Sequence, residues 1–470
     1  MGCILYETNE NYSEKVTERI RENNLLPKLL IIDQAVSAGG VERFLHGLVG
    51  GMLELPEVKD WDITILLNRY NSGGYKVEWP EHLKAPNVHL HYMFDDKLSR
   101  LLNWMSKSGR VLGIYGTSFA KSRIPWLLRK YGTPWLRSHA GDAQLWIEHF
   151  CRQQHFDVAY FSYPYLMECP RVPMPMVATP HDFNWKRFSA FWNRCWYDQI
   201  ERQMPEWLHR CHRLVVSSEF MASELRYFYP DAANKVSVLR LGIPGGNHIP
   251  TNEELQAYKQ RRGLPEQFLL TVGWIIPHKN QRVLFEALGQ LRSKGVNIPL
   301  VFTGPHSDKL QPGNKELESG YFKEISQVAE RLNLQYGRDY WGLGYVDDFE
   351  LECLYRLATA LILPSLYEAG SFPLVEATRA RCPVACSQIP AHVEHDNLLG
   401  NNMWLFDPYD ADKLANTIVQ MIQHPQLAKE RAMHASEKVT EVYSWQKTGE
   451  GYLSVFREAL ADNATAQLRG

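Results

Sequence analysis

Two glutamates with seven residues between them, Glu368 and Glu376, bracket a Gly-Ser-Phe-Pro step in PSLYEAGSFPLVEA, residues 364–377. Pro373 suits the first turn of a helix, where its missing N–H would be unpaired in any case. Free amides at such a helix start form a ready anion site. The carboxylates cannot themselves hold a phosphate, because like charges repel, but they accept hydrogen bonds from vicinal hydroxyls. Hydroxyl pairs on either side of a diphosphate, one on a ribose and one on a sugar, match that pattern. The plainer reading leaves Glu376 complementing the helix dipole and Glu368 solvated on its loop. Lys279, in PHKN at a predicted strand-to-helix turn, offers a cation for phosphate unless it is an ordinary exposed lysine. His181, in VATPHDFNW, follows Pro180 at a strand end and precedes Asp182. It either orients a sugar hydroxyl in a cleft or packs as a turn residue. Breaking a sugar–diphosphate bond puts negative charge on the leaving oxygen. Prearranged amides and an ammonium stabilise that charge, at about 3 kcal/mol for each donor.

Such groups need a frame that brings distant loops together. KLLIIDQ (28–34) is a continuous apolar strand of the kind buried on both faces of a parallel sheet. It runs into SAGG and then helix-spaced VERFLHGLVGGML, the opening strand–turn–helix of a doubly wound fold. DITILL (62–67), DVAYFS (157–162), PMVATP (175–180) and RLVVSS (213–218) repeat the strand signal. LGIPGGNHIPTNEE (241–254) has no apolar periodicity and reads as a linker. The alternation restarts with FLLTVGW (268–274) and a helix from about Gln281. PLVFTG (299–304), RDYWGLGYV (338–346), ALILPS (360–365) and PVACS (383–387) continue it. The expected fold is α/β, with two parallel-sheet, Rossmann-like halves facing a central cleft lined by strand C-termini. The expected boundaries are an extension at 1–26, a first domain at 27–245 and a second at 246–445. Residues 446–470 are expected as a C-terminal helix.

Bulk properties narrow the classes. The 470 residues are 45% hydrophobic and 22% charged, which suits packed globular cores. A net charge of −2 gives no electrostatic case for nucleic acid. The eight cysteines are scattered without a CxxC pair and read as free thiols. HRCH (209–212) and HVEHD (392–396) lack a second ligand pair at zinc-site spacing, so no metal is expected. Tyr6 stands where myristoylation prefers Ser or Thr. No signal-like apolar region and no run of about 18 apolar residues is present. The expected location is the cytoplasm, or the cytoplasmic face of the inner membrane.

In its surroundings, the 364–377 stretch resembles the E-x7-E motif of the retaining GT-B glycosyltransferases of family 4. The resemblance extends over WGLGYVDDFELECLYRLATALILPSLYEAGSFPLVEATRARCPVACSQIPAHVEH, the donor-domain core. TVGWIIPHKNQRVLFEAL is similar to that family's lysine loop, VATPHDFNW to its His-Asp motif and SAGGVERF to its first glycine loop. The resemblance implies three catalytic positions. Glu368 contacts the donor sugar's hydroxyls, Lys279 neutralises the leaving diphosphate, and His181 lies near the reacting centre. It also implies Glu376 on the nucleotide ribose, amides of Gly370, Ser371 and Phe372 facing the phosphates, and Gly39 and Gly40 close to donor phosphate and acceptor. The family's usual arginine after the strand is Trp274 here, so that cation is either absent or supplied by Arg240 or Arg282; Arg282 is the donor-binding candidate. PHKN is similar to mannosyl- and rhamnosyltransferase-like members, and the resemblance implies that the helix of 446–470 crosses back onto the first domain.

The implied activity is retaining, metal-independent transfer of a mannose- or rhamnose-like hexose from a GDP-, dTDP- or UDP-linked donor. The implied acceptor is a glycan or lipid-linked molecule in cell-surface polysaccharide synthesis, with no other cofactor. A nucleotide-sugar epimerase or phosphorylase on the same frame is one alternative, and a non-catalytic partner protein, suggested by Trp274, is another. Between Lys97 and Gly141 nine basic residues and no acidic ones interleave with Trp104, Trp126 and Trp135. That composition suits either an anionic membrane surface or an ordinary surface helix over buried tryptophans.

Overall fold

The computed structural model describes residues 26–33, 40–67, 79–95, 97, 142–165, 167–243 and 248–469, with side chains to residue 462. Residues 1–25 of the expected extension, Gly39 and all but Lys97 of the basic stretch up to 141 lie outside the described residues.

The first sheet contains β1 (Lys28–Asp33), β2 (Asp62–Leu67), β3 (Val88–Tyr92), β4 (Val158–Phe161), β5 (Met176–Ala178), β6 (Arg213–Val216) and β7 (Val236–Val238). All are parallel, in the order β3-β2-β1-β4-β5-β6-β7. The second contains β8 (Leu269–Val272), β9 (Leu300–Thr303), β10 (Tyr340–Gly342), β11 (Ala360–Leu363), β12 (Val384–Ser387) and β13 (Trp404–Phe406). It is also wholly parallel, in the order β10-β9-β8-β11-β12-β13. Each apolar strand segment expected from sequence contains a strand. Three strands carried too weak a signal: β3, β7 and β13, all at sheet edges. An edge strand covers less core, so VHLHY alternates half-buried and exposed positions instead of forming an apolar run.

In both sheets the chain builds outward on one side, then returns to build on the other. The reversal falls between β1 and β4 in the first lobe and between β8 and β11 in the second. Loops leaving the two strands at such a switch point diverge and open a crevice at their C-terminal ends. The loops after β8 and β11 carry PHKN and LYEAGS, so topology alone brings Lys279 and Glu368 to one crevice. At the same end, Gly304 (φ +120°) packs so close to Gly273 that a Cβ would overlap the Gly273 carbonyl. Only glycine meets both the left-handed backbone and that approach.

Helices of two turns or more are α1 (Gly40–Leu53), α2 (Ala143–Gln153), α3 (Arg194–Arg210), α4 (Glu219–Phe228), α5 (Asn252–Arg262) and α6 (Gln281–Ser293). They continue as α7 (Gly320–Arg331), α8 (Asp348–Leu357), α9 (Phe372–Arg379), α10 (Pro390–Leu398), α11 (Ala411–Gln423), α12 (Pro425–Val442) and α13 (Trp445–Arg469). Although α13 follows the second lobe in sequence, Tyr452, Leu453, Val455 and Phe456 are buried in the first lobe's core beside α1. Tyr452 Oη lies 2.7 Å from Thr179 Oγ1, which is also 2.7 Å from Tyr160 Oη. Trp445 wedges against Gly47, Gly51 and Gly242 and donates its indole N–H to the Ile243 carbonyl at 3.0 Å.

A Cβ at Gly51 would overlap the Trp445 carbonyl, so Gly51→Ala must push α13 off α1. Overpacking of this kind costs about 1–3 kcal/mol. The expected result is a thermal midpoint lower by several degrees, measured by circular dichroism. An unchanged midpoint would show that α13 is loosely held.

Candidate functional site

Lys279 ends a short turn of 3-10 helix, Pro277–Lys279, between β8 and α6. Asn280 follows in the left-handed region (φ 56°), which swings the chain into α6 at Gln281. Its side-chain amide donates to the carbonyls of Pro364 (3.1 Å) and Pro408 (2.8 Å), and the Leu366 amide donates to the His278 carbonyl at 2.8 Å. These bonds stitch the lysine loop to the loops after β11 and β13. Lys279 Nζ then stands 2.6 Å from Glu368 Oε1, which also accepts the Ser365 hydroxyl at 2.6 Å. Glu368 is 8% exposed. Burial would raise its carboxyl, but the Lys279 ammonium and the hydrogen bonds from Lys279 and Ser365 hold it below the usual carboxylate range.

Glu376 is the fifth residue of α9 and buried, so it does not sit at the helix's positive end as a dipole partner would. Tyr355 of α8 donates to its Oε2 at 2.9 Å, and Arg43 of the first lobe pairs with Oε1 at 2.5 Å. Burial still leaves the Glu376 carboxyl raised.

His181 enters from the first lobe, just beyond β5. Its ring lies edge-on to Phe44 at 5.1 Å, and Nε2 is 2.7 Å from the Ser162 carbonyl. A carbonyl only accepts, so Nε2 carries the proton and Nδ1 is left as an acceptor. Burial pushes the imidazole down to about 4, keeping it neutral at physiological pH. Beside it, burial pushes Asp182 up to about 6, and the fields of Lys279 and Glu368 both reach it from the second lobe. Further bonds join the lobes here. The Phe183 amide donates to Tyr367 Oη (3.0 Å), Ser218 Oγ to the Ala369 carbonyl (2.9 Å), and the Glu219 and Phe220 amides to Glu394 (2.9 Å each).

The sequence candidates thus converge in part. Lys279 and Glu368 touch, Glu376 lies buried on the following helix, and Asp182 comes within their field from the first lobe, with His181 beside it in sequence. Gly40 opens α1 with Phe372 3.9 Å from where its Cβ would be. Gly370 packs against Leu241 and Ser217 of the first lobe. The Ser371 amide is engaged within its own lobe, donating to His395 Nε2 at 3.3 Å. Arg282 is 52% exposed with its guanidinium on Glu286 at 3.1 Å, and Arg240 stands 3.8 Å from Glu394. Neither is joined to the Lys279–Glu368 pair. Trp274 is 41% exposed and stacks edge-on with His306. Sequence reasoning passed over Arg43, Ser365, Tyr355 and His395. Arg43 lies inside the quoted SAGGVERF, but nothing in spacing tells that it crosses to another lobe.

HVEHD, weighed in the sequence as a metal motif, supports the loop instead. His395 Nδ1 is 2.5 Å from Tyr443 Oη, so Nε2 is free to accept the Ser371 amide. His392 Nδ1 lies 3.0 Å from the Ser387 carbonyl, and Ser387 Oγ donates to the Ser365 carbonyl at 2.5 Å. Among the described residues no group of three His, Cys, Asp or Glu could hold a metal ion, and no helix is long and apolar enough to cross a membrane.

Comparison with known proteins gives these elements relatives. Residues 253–438 match the family "Glycosyl transferases group 1". The MMP alpha-(1->4)-mannosyltransferase of Mycolicibacterium hassiacum is 24% identical over 314 residues, 63% of this chain and 68% of that protein. The O-antigen chain mannosyltransferase B of Escherichia coli is 26% identical over 229 residues, 48% of this chain and 55% of that protein. Among solved structures, Anabaena HepE in complex with UDP and glucose superposes with a TM-score of 0.58 at 16% identity, covering 92% of this chain and 100% of that one. The two-lobed architecture is that of the GT-B glycosyltransferases.

Four imidazoles lie near the site, His392 and His395 buried and His181 and His278 half-buried; desolvation pushes His181, His278 and His392 down to about 4, and His395 to about 3. Each folded value lies below the unfolded value of about 6.5. Their stabilisation is therefore complete above that pH and lost as pH falls toward 4. Asp182 and Glu376, both raised by burial, work in the opposite direction but are two groups against four. The thermal midpoint is expected to fall by several degrees between pH 7 and 4.5, and less steeply in His395→Gln. A flat profile would show that the rings accept protons without opening the fold.

Proposed function

We propose that this chain, whose residues 253–438 form a group 1 glycosyltransferase domain on a GT-B frame, is a retaining hexosyltransferase using a nucleotide-diphosphate sugar. The hexose is mannose- or rhamnose-like, the donor GDP-, dTDP- or UDP-linked, and the acceptor a glycan or lipid-linked molecule of cell-surface polysaccharide. Two relatives named as mannosyltransferases and the PHKN turn favour the sugar. A fold neighbour described with UDP and glucose favours the nucleotide link.

One observation carries the reading: Lys279 and Glu368 form a buried pair at a switch-point crevice, 2.6 Å apart. In the transfer, the bond from the anomeric carbon to the diphosphate oxygen breaks and a bond to an acceptor hydroxyl forms. The nucleoside diphosphate leaves with the bonding electrons, and the proton of the acceptor hydroxyl passes to the leaving oxygen. Lys279 trades the Glu368 carboxylate for the leaving diphosphate and offsets its charge. Glu368, released, accepts hydroxyls of the sugar. Glu376 takes the ribose hydroxyls, and neutral His181 presents Nδ1 as an acceptor from the opposite wall. A low-dielectric cleft strengthens each of these interactions, so closure of the lobes belongs to the mechanism.

Incubation with GDP-mannose, dTDP-rhamnose and UDP-glucose tests the reading by release of the nucleoside diphosphate. Slow release from one donor is expected, undiminished by EDTA. Lys279→Ala and Glu368→Gln are expected to reduce it by about 10²–10³-fold. An epimerised donor would point to the epimerase alternative. No binding of any of the three would leave a scaffold protein and end the transferase reading.

A further inference from the structure

Glu376 belongs to the second lobe, yet its cation comes from the first. Arg43, the fourth residue of α1, reaches across the cleft with Nη2 2.5 Å from Glu376 Oε1 and 3.1 Å from Asp348 Oδ1. Glu376 is 2% exposed and the Arg43 side chain 24%. Arg43 Nε is buried and has no hydrogen-bond partner. The guanidinium also lines a cavity of about 530 Å³ between the lobes, together with His46, Tyr345, Asp348 and Phe349. No local or packing requirement of α1 explains a charge placed there, because the core of α1 is Phe44, Leu45, Leu48, Val49 and Met52.

We propose that Arg43 is a positioning residue for the donor: from across the cleft it keeps the Glu376 carboxylate charged and aimed, so that ribose hydroxyls meet an ionised acceptor. The inference rests on the reading of Glu376 as the ribose ligand and adds a first-lobe residue to that subsite. The groups facing Glu376 are few. Arg43 comes from α1, and Asp348 and Tyr355 come from α8. β11, β12 and α12 meet α9 through apolar side chains such as Leu363, Val384, Ala435 and Val439. The Cys382 thiol, beyond Tyr355, is pushed up to about 12 by burial and stays neutral. Glu42 and Tyr345 face the Arg43 side. Arg43 is therefore the one cation among the described groups around Glu376. Burial raises the Glu376 carboxyl even with Arg43 present, and Asp348 adds a like charge. Without the guanidinium both effects act against a single tyrosine hydrogen bond. The carboxyl then keeps its proton and loses acceptor capacity just where the diol arrives.

Binding of GDP, UDP and dTDP to the full chain, measured by calorimetry from pH 6 to 9, tests this. In Arg43→Met the pH of half-maximal affinity is expected to move up by about one unit or more relative to wild type. Below it, affinity falls about tenfold per pH unit and recovers toward pH 9. Arg43→Lys is expected to follow wild type, and Glu376→Gln to bind weakly at every pH. Arg43→Met with the wild-type profile, or weaker by the same factor at all pH values, would overturn the inference while leaving the donor reading intact. A wild type that binds none of the three nucleotides would overturn both, a failure recognisable because it needs no substitution.

Discussion

A carboxylate with 8% exposure is tolerable only beside a cation, and the contact between Lys279 and Glu368 sets the terms for the rest of the second lobe. Removing either partner of such a buried pair typically costs about 3–5 kcal/mol, because the other is left charged and dry. The two side chains come from loops 89 residues apart in sequence. Their spacing is held by backbone and amide bonds from Asn280, His278 and Leu366, and by the Ser365 hydroxyl. The pair is satisfied internally, and both loops are thoroughly tied to one another.

The two lobes meet along a seam that is more polar than either core. Tyr367 accepts the Phe183 amide and packs near Phe188 and Phe220, while Glu394 covers the start of α4. Such contacts can be exchanged for water at modest cost, since each hydrogen bond contributes about 1 kcal/mol net. By contrast, α13 is welded to the first lobe through Trp445, Tyr452 and Phe456. One connection is therefore apolar and tightly packed, and the other polar and more readily exchanged for water.

The histidines of HVEHD show how a pattern suggestive of metal binding serves another end. His392 and His395 lie on one face of α10, buried and neutral, and their nitrogens hold the carbonyl of Ser387 and the amide of Ser371. A neutral imidazole can donate at one nitrogen and accept at the other.

Much of the fold was legible in the chain alone. Continuous apolar runs such as DITILL and ALILPS named the central strands, because strands buried on both faces need apolar residues throughout. The edge strands β3, β7 and β13 escaped notice for the converse reason. PHKN and the paired glutamates were legible as chemistry because residue type and a predicted helix start are local properties. What spacing could not convey is which groups meet across the cleft. Arg43 on Glu376 depends on how two separately folded sheets are set against each other, and the Ser371 amide turned to His395 on how α10 packs beside the loop. A short-range pattern carries no record of a partner hundreds of residues away, and only the packing of the whole chain decided those contacts.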